Sequence, residues 1–374
     1  MVSLNDFQRR WDDTRADSLA AFEDVGRSGW YILGREVAAF EEALAAVWGT
    51  GCAVGTASGL DAIEISLKAL ECRPGDKVLT TPLSAFATTL AILKLGAEPV
   101  FVDTDEWGLL DLDLCRTVLL ARPDIRFLLP VHLYGHALDM ERLGALRDAS
   151  GCVLVEDCAQ SIGASHNGVL AGTAGRMAAT SFYPTKNLGA MGDGGAILTG
   201  DPDLALAARS LRDYGRGPDG RNERVGYNSR LDELQAALLR RACLPRLAGW
   251  REKRRRIAGR YVQGIRHPAL RVMGAPQGSD SCWHLFPVLV EGNRKAGFMA
   301  FLKSQGIESG EHYSRAIPDE PVMAGAGFES VGPLETARRI ARSEVSLPIH
   351  PYLTDGEIER VIEACNAWNG LTPG

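Results

Sequence analysis

The sequence predicts an α/β protein, a mostly parallel central sheet flanked by helices with a smaller α+β unit after it. Three observations carry this expectation. Between residues 60 and 200, short β-prone runs alternate with stretches of helical periodicity, the pattern of repeated strand-helix-strand units. A sheet built that way is buried on both faces. Past residue 264 only two further strand-like pieces follow, set among helices, which suits a separate small α+β unit. At 374 residues the chain exceeds what one compact core organises, and a division into residues 1–240 and 241–374 is expected.

The candidate strands are residues 77–81, 99–102, 127–132, 153–156, 179–182 and 196–199. Between them, residues 60–70, 86–95 and 140–149 carry apolar side chains at helical spacing. Residues 231–264 form a long helical stretch interrupted at Pro245. It contains the basic run Arg251-Glu252-Lys253-Arg254-Arg255-Arg256, read as a solvated helix face because Trp250, Ile257 and Tyr261 supply an apolar stripe beside it. Strand-like residues 284–290 and 344–347 and helical residues 295–305 and 355–366 complete the small unit.

Composition excludes several function classes. Hydrophobic residues at 45% and charged residues at 24% are those of an ordinary globular chain, neither disordered nor fibrous. A net charge of -6 argues against a nucleic-acid partner, which demands an excess of Lys and Arg. The eight cysteines show no CxxC pair or zinc spacing, so reduced thiols are expected. No basic stretch followed by an apolar core opens the chain, and no apolar run spans a membrane, which places the protein in the cytoplasm as an expectation.

Chemistry concentrates in three segments. Residues 153–160 put Glu156 and Asp157 at the carboxyl end of an apolar strand, where ligands of open α/β sheets bind. Alone that is weak, since strand-end acids often only cap a turn. Residues 180–195 place Lys186 after a β-prone run, with Ser181 five positions earlier and glycines following that let backbone approach a ligand. A lone lysine defaults to the surface, but a desolvated one is a good Schiff-base nucleophile because burial lowers its pKa. Pyridoxal 5′-phosphate (PLP) chemistry needs such a lysine together with a carboxylate that keeps the pyridine nitrogen protonated, and Asp157 supplies the second. The third segment, Gly55-Thr56-Ala57-Ser58-Gly59-Leu60-Asp61-Ala62, is a small-residue loop opening into a helix whose N-terminal N–H groups suit a phosphate dianion. It matches neither a Walker loop nor a dinucleotide fingerprint, so a nucleotide-binding module is a poor reading. His132 and His136 stand four apart at a strand end, where that spacing does not converge on a metal. No metal is expected; His132 is read as lining the pocket and His136 as surface.

With these segments in place the chain resembles the DegT/DnrJ-type sugar aminotransferases, members of the fold-type-I PLP enzymes. The likeness runs over nearly the whole length: residues 28–34, the phosphate loop, 82–89, 156–164, 181–195, 226–236, His312-Tyr313 and 346–351. The resemblance implies that Lys186 forms the internal Schiff base and Asp157 pairs with the pyridine nitrogen. Gln160 would hydrogen-bond the phenolic oxygen and Phe86 would stack on the ring. The Gly59 and Leu60 amides and the Ser181 hydroxyl would hold the phosphate, and Asn228 would reach the phosphate of a neighbouring subunit, making a homodimer with shared active sites. Tyr31, Tyr183, Arg230, His312 and Tyr313 are the expected substrate contacts. Leu60 replaces a hydroxyl residue common in relatives, and Ala85 replaces a frequent Thr beside Phe86.

The implied activity is transfer of the amino group of L-glutamate, through PLP and its aminated form PMP, to a nucleotide-linked keto-6-deoxy sugar. Lysine at position 186 argues for transamination, since family members that dehydrate sugars carry histidine there. Residues 227–233 and 30–34 look more like enzymes acting at C3 of a dTDP-linked 3-keto-6-deoxyhexose than at C4. C4 amination and a cyclitol aminotransferase of the scyllo-inosose type are the alternatives within the class. A non-catalytic PLP-binding regulatory protein is the alternative outside it, and its signature, loss of the lysine or its acid partner, is missing from this sequence.

Overall fold

A computed structural model of the chain describes residues Met1–Gly370. Two helices come first, α1 (Phe7–Ser28) and α2 (Arg35–Trp48). Strand β1 (Cys52–Thr56) leads into α3 (Gly59–Ala69), β2 (Lys77–Thr80) into α4 (Phe86–Lys94), and β3 (Glu98–Val102) into α5 (Leu112–Ala121). Then come β4 (Ile125–Leu129), α6 (Met140–Ser150), β5 (Val153–Asp157), β6 (Met177–Ser181), β7 (Gly195–Thr199) and α7 (Pro202–Arg212). The main sheet has eight strands in the order β1-β7-β6-β5-β4-β2-β3-β10, where β10 is Glu329–Val331. Pairing is parallel from β6 through β5, β4, β2 and β3 to β10, while β7 runs antiparallel to both its neighbours. The mostly parallel sheet expected from the alternation is therefore what forms.

Strand alternation divides the core. Leu128 and Leu154 face one apolar layer with Phe40, Leu44, Trp48 and Phe182, while Phe127, Leu129 and Val155 face the other with Ile63, Ile65 and Ile197. Leu128, Phe127 and Leu129 are all fully buried, as a sheet covered on both faces requires.

Local chemistry sets the helix ends. Ser58 caps α3 by accepting from the Asp61 N–H (3.1 Å), and Gly151 closes α6 at φ 68°, a conformation that favours glycine. Helix α2 begins at Gly34, which has no side chain to cap with. Glu233 does it from a distance, its carboxylate accepting from the N–H groups of Gly34 (2.9 Å), Glu36 (2.9 Å) and Val37 (2.7 Å). Glu233→Ala would strand three donors, two of them buried, at a positive helix end, and we expect a loss of ~2–4 kcal/mol. Urea denaturation reads it as a lower midpoint at unchanged slope.

The long helical stretch is continuous in direction but not in winding. Helix α8 (Glu233–Leu238) passes through a π segment (Leu239–Cys243) and a 3-10 turn (Leu244–Arg246) into α9 (Leu247–Gly264). Pro245 has no N–H to offer the preceding turn, and Arg246 Nη1 donates to the Ala242 carbonyl there (2.8 Å). The basic run on α9 is only in part the solvated face expected: Glu252, Lys253 and Arg256 are exposed, but the other members of the run turn inward. Arg254 is buried in step with Trp250, Ile257 and Tyr261, and its Nη1 donates to the carbonyls of Trp283 (3.1 Å), His284 (3.3 Å) and Ile349. Arg251 bonds the Gly163 carbonyl (2.5 Å) and Asp280 (3.2 Å). These arginines bind α9 to the segments around it, a use of charge that periodicity alone does not separate from solvation.

The second sheet, β8 (Leu270–Val272), β9 (Phe286–Val290) and β11 (Glu344–Leu347), is antiparallel in that order. It packs with α10 (Lys295–Ser304) and α12 (Asp355–Ala367) around Phe286, Val288, Phe298, Val345, Leu347 and Ile358, while α11 (Glu335–Ser343) turns Ala337 and Ile340 into the main core. Val2 joins the small cluster, its N–H donating to the Gly306 carbonyl (2.8 Å). Among the described residues no helix is long and apolar enough to cross a membrane.

Candidate active site

The carboxyl ends of β5 and β6 and the N-termini of α3 and α4 meet at one place. Asp157, the last residue of β5, is almost fully buried, and its Oδ2 accepts from Thr88 Oγ1 (2.8 Å) and its Oδ1 from the Ala159 N–H (3.0 Å). Thr88 lies in the first turn of α4 and itself accepts from Ser84 Oγ (3.1 Å), so a chain of hydroxyls aims the carboxylate. Burial pushes the Asp157 carboxyl up, against the Ala159 and Thr88 hydrogen bonds and the charge of Lys186.

Glu156 points to the opposite face and is fully buried. Its oxygens accept from the N–H groups of Gly172 (2.8 Å), Ala174 (2.8 Å) and Gly175 (2.6 Å) and lie 2.9 Å from His132 Nε2. Adjacent acids thus divide between anchoring a loop and facing a site. Since His132 Nδ1 accepts from the Leu138 N–H (3.1 Å), both its ring nitrogens are committed, and it braces the strand end instead of offering a nitrogen to the pocket. Glu156, His132 and Cys158 are close enough to suggest a metal site, but four donors fill the carboxylate and burial holds the Cys158 thiol well above its usual range. His136 is not on the surface, as expected, but fully buried. Its Nδ1 is 3.0 Å from Ser281 Oγ, its ring meets Trp283 edge-on at 5.0 Å, and burial lowers its pKa to about 3. The turn before it folds under residues 281–284: Gly135 has φ 96°, and a Cβ there would lie 2.6 Å from the His284 nitrogen.

Lys186 sits in the loop after β6, its N–H donating to the Tyr183 carbonyl (2.8 Å). Burial lowers its pKa to about 8, with the Asp157 carboxylate pulling the other way. Next to it Asn187 Nδ2 donates to the Cys282 carbonyl (3.0 Å), and Arg10 Nη1 holds the Pro184 carbonyl (2.9 Å), so the loop is pinned on both sides of the lysine.

A cradle opens at the start of α3. Among the described residues neither the Gly59 nor the Leu60 N–H has a protein acceptor, and Ser181 lies against them: a Cβ on Gly59 would be 2.7 Å from Ser181 Cβ. Gly195 must also be glycine, since its Cβ would meet the Ser58 carbonyl at 2.4 Å. Free helix-terminal N–H groups beside a hydroxyl suit a phosphate, and a lowered-pKa amine near a buried carboxylate suits an aldehyde and a ring nitrogen. The residues present fit PLP.

On the other side of the lysine, Gln160 Oε1 accepts from the Tyr134 N–H (2.7 Å) and its Nε2 donates to Tyr313 Oη (3.0 Å). Tyr134 Oη donates to the His312 carbonyl (2.6 Å). Phe86, first residue of α4, is half-buried against Phe101, Ile317 and Met323. The structure therefore brings Asp157, Lys186, Gln160, His312 and Tyr313 close together: Gln160 and Tyr313 are hydrogen-bonded, the charge of Lys186 acts on Asp157 and His312, and that of Asp157 acts on Tyr313. Tyr31 and Tyr183 are both about half exposed, at 53% and 52%, and Asn228 is exposed as well. Asn228 and Arg230 line an open groove with Ile32, Ala57, Gly192 and Asp193, where Arg230 Nη1 donates to Asp213 (2.7 Å). Ser229, between them, ties that groove to the cradle: its Oγ donates to Asp61 (2.7 Å) and accepts from the Ala57 N–H (3.0 Å). Thr88, Ser84 and Tyr134 had no role in the sequence reading. Only a Thr in the first turn of a helix following residues 82–85 hinted at the first.

Comparison with known proteins finds relatives over nearly the whole chain. The dTDP-3-amino-3,4,6-trideoxy-alpha-D-glucose transaminase of Streptomyces venezuelae is 40% identical over 369 residues, covering 98% of this chain and 96% of that protein. The crystal structure of S. venezuelae DesV in complex with a ketimine intermediate superimposes with a TM-score of 0.92 at 41% identity, over 97% of each chain. NtdA from Bacillus subtilis, with bound cofactor PMP, gives a TM-score of 0.84 at 28% identity over 94% of this chain and 81% of that one. The matching pattern of residues 12–366 takes in the lysine loop, the cradle and both sheets, and the chain belongs to the DegT/DnrJ/EryC1/StrS aminotransferase family.

Proposed function

We propose that the protein transfers the amino group of L-glutamate to C3 of a dTDP-linked 3-keto-6-deoxy sugar, using PLP, in deoxyamino sugar biosynthesis. The observation that carries this is the amine of Lys186, brought to a pKa of about 8 beside the buried carboxylate of Asp157. At neutral pH about a tenth of such an amine is free base, roughly two hundredfold more than for an exposed lysine. The likeness to the S. venezuelae transaminase supports the sugar and the carbon.

Bound in the cradle, PLP supplies an aldehyde for the amine and a ring that draws electrons from the reacting carbon. The rest is the work of the chain. The Gly59 and Leu60 amides and Ser181 Oγ bind the phosphate, Gln160 orients the phenolic oxygen, and Phe86 walls one face of the ring. Asp157, held by Thr88 and Ala159, keeps a proton on the pyridine nitrogen. Lys186 Nζ would take a proton from the donor's α-carbon and deliver it to C4′ of the cofactor, on the far side of the shared nitrogen, and in the second half-reaction reverse the order. Tyr31, Tyr183, Arg230, His312 and Tyr313 surround the keto sugar. Two substrates that use one site in turn give ping-pong kinetics.

The exposed Asn228, on a groove joined to the cradle through Ser229, supports a homodimer in which each Asn228 reaches the phosphate in the partner's site. Asn228→Ala is expected to weaken PLP retention ~10-fold, one charge-assisted hydrogen bond's worth, measured by cofactor titration of the apoenzyme. Unchanged affinity removes the role. The substrates and the absence of a membrane-crossing helix among the described residues support a cytoplasmic location.

The deciding experiment loads the purified protein with PLP and follows its absorption as L-glutamate is added. It then supplies dTDP-3-keto-6-deoxyhexose, the 4-keto isomer or scyllo-inosose and identifies the product by NMR. Amination of the 3-keto sugar is the expected result. Preference for either of the others moves the assignment within the class, and a cofactor indifferent to glutamate makes the protein a non-catalytic binder.

A further inference from the structure

Strand β11 carries polar side chains on one face and apolar ones on the other. Val345 and Leu347 enter the small core, while Glu344 and Ser346, also fully buried, turn the other way. Their face is covered by residues 310–313, because Gly310 and Ser346 exchange two backbone hydrogen bonds (3.1 and 2.8 Å). Three further bonds converge there. The His312 backbone N–H donates to Glu344 Oε2 (2.6 Å), Ser346 Oγ donates to Glu344 Oε1 (2.5 Å), and His312 Nδ1 lies 2.9 Å from Ser346 Oγ. A hydroxyl has one proton, and an ionised carboxylate only accepts. The serine proton therefore goes to Glu344, Ser346 Oγ accepts from His312, and Nδ1 carries the ring hydrogen. Nε2 is left a bare acceptor, with no protein donor to it among the described residues.

We propose that Glu344 and Ser346 are positioning residues that lock His312 in the tautomer whose Nε2 accepts a hydrogen bond from a hydroxyl of the keto-sugar substrate. This rests on the function proposed above and adds how the sugar is selected. The ring is well placed for it: His312 is half-buried, Tyr134 holds its carbonyl, and its neighbour Tyr313 bonds Gln160. Burial, then the charge of Lys186, lowers the pKa of His312 to about 4, so the ring stays neutral and keeps its lone pair. Burial raises Glu344 to about 7, with Lys295 drawing it down and Glu311 pushing it up, so the lock is tightest well above neutrality. An acceptor left unpaired against a deoxygenated carbon is costly, which makes this nitrogen a filter for a hydroxylated position.

The test combines structure and kinetics. Nitrogen-15 NMR of the holoenzyme well above pH 7, with His312 identified from the His312→Gln spectrum, is expected to show hydrogen on Nδ1; hydrogen on Nε2 overturns the proposal. Ser346→Ala is expected to lower kcat/KM for dTDP-3-keto-6-deoxyhexose ~10- to 50-fold while single-turnover reaction with glutamate changes less than ~2-fold. Ser346→Thr, which keeps the hydroxyl, is expected to recover most of the loss. Equal losses in both half-reactions, or no difference between the Ala and Thr variants, overturn it. A wild-type protein that reacts with glutamate but with no keto sugar overturns the proposed function and the substrate half of this inference, and the nitrogen spectrum still decides the tautomer.

Discussion

Lys186→Ala is expected to lower turnover at least ~10⁴-fold while leaving the far-ultraviolet circular dichroism of the protein unchanged. The rate loss follows from removing both the group that carries the cofactor and the base that moves the proton, functions no neighbour duplicates. The fold survives because the loop is pinned through the backbone and through Asn187 and Arg10, none of which uses the lysine side chain. A small primary amine added to the solution is expected to restore part of the rate; appreciable amination of the ketone by the variant alone would show that another base acts. The same substitution has a thermodynamic signature. In the cofactor-free protein the Lys186 pKa is lowered from 10.5 to about 8. As pH rises between those values, the folded protein has released a proton the unfolded chain still binds, so stability increases with pH. The wild type is therefore expected to gain ~1–3 kcal/mol across that window relative to Lys186→Ala, measured by urea denaturation at several pH values. Parallel curves for the two proteins would place the lysine in solvent.

Much of the architecture was legible because the main strands are continuous apolar runs. The helices expected at 60–70, 86–95 and 140–149 form as Gly59–Ala69, Phe86–Lys94 and Met140–Ser150. The helices Phe7–Ser28, Arg35–Trp48, Leu112–Ala121 and Pro202–Arg212 were not foreseen, and the strands that escaped notice are short. Cys52–Thr56 reads as the front of a loop because alanine and glycine dilute its pattern, and Glu329–Val331 is a three-residue edge strand whose start is held by ion pairs of Glu329 with Lys77 and Arg122. Two of the misread polar residues share one cause. His136 and Arg254 are buried because segments more than a hundred residues away in one case, and about ninety-five in the other, supply their partners Ser281 and Ile349. Periodicity carries no information about such pairs. The chemistry was different: Lys186, Asp157 and Gln160 stand in short motifs whose residue types already imply a reaction, whereas Thr88, Tyr134, Ser346 and Glu344 matter only through what the folded chain sets beside them.

Asp157→Asn is expected to separate activity from stability. An amide has no charge with which to hold a proton on the ring nitrogen, and loss of a buried charged hydrogen bond of ~3–5 kcal/mol predicts a ~10²- to 10⁴-fold fall in kcat, with KM for glutamate little changed. The hydrogen-bond frame adapts without collapsing. The oxygen of the new amide takes the place of the carboxylate oxygen that accepts from the Ala159 N–H, and Thr88 Oγ1 turns from donor to acceptor toward the amide hydrogen. Stability is expected to move the opposite way. Burial raises the pKa of Asp157 in the folded state, so at neutral pH its ionised form costs free energy that a neutral amide does not. The sign follows: above the raised pKa the wild type carries a penalty, which fades as pH falls and the folded protein takes up the proton first. The cofactor-free variant is thus expected to be as stable as the wild type or more so at pH 7, with the gap closing in acid. A variant that lost stability along with activity would mean that the carboxylate chiefly braces the end of β5. One that kept near-wild-type rates would mean that some other acid serves the ring, and Asp157 would no longer be part of the catalytic pair.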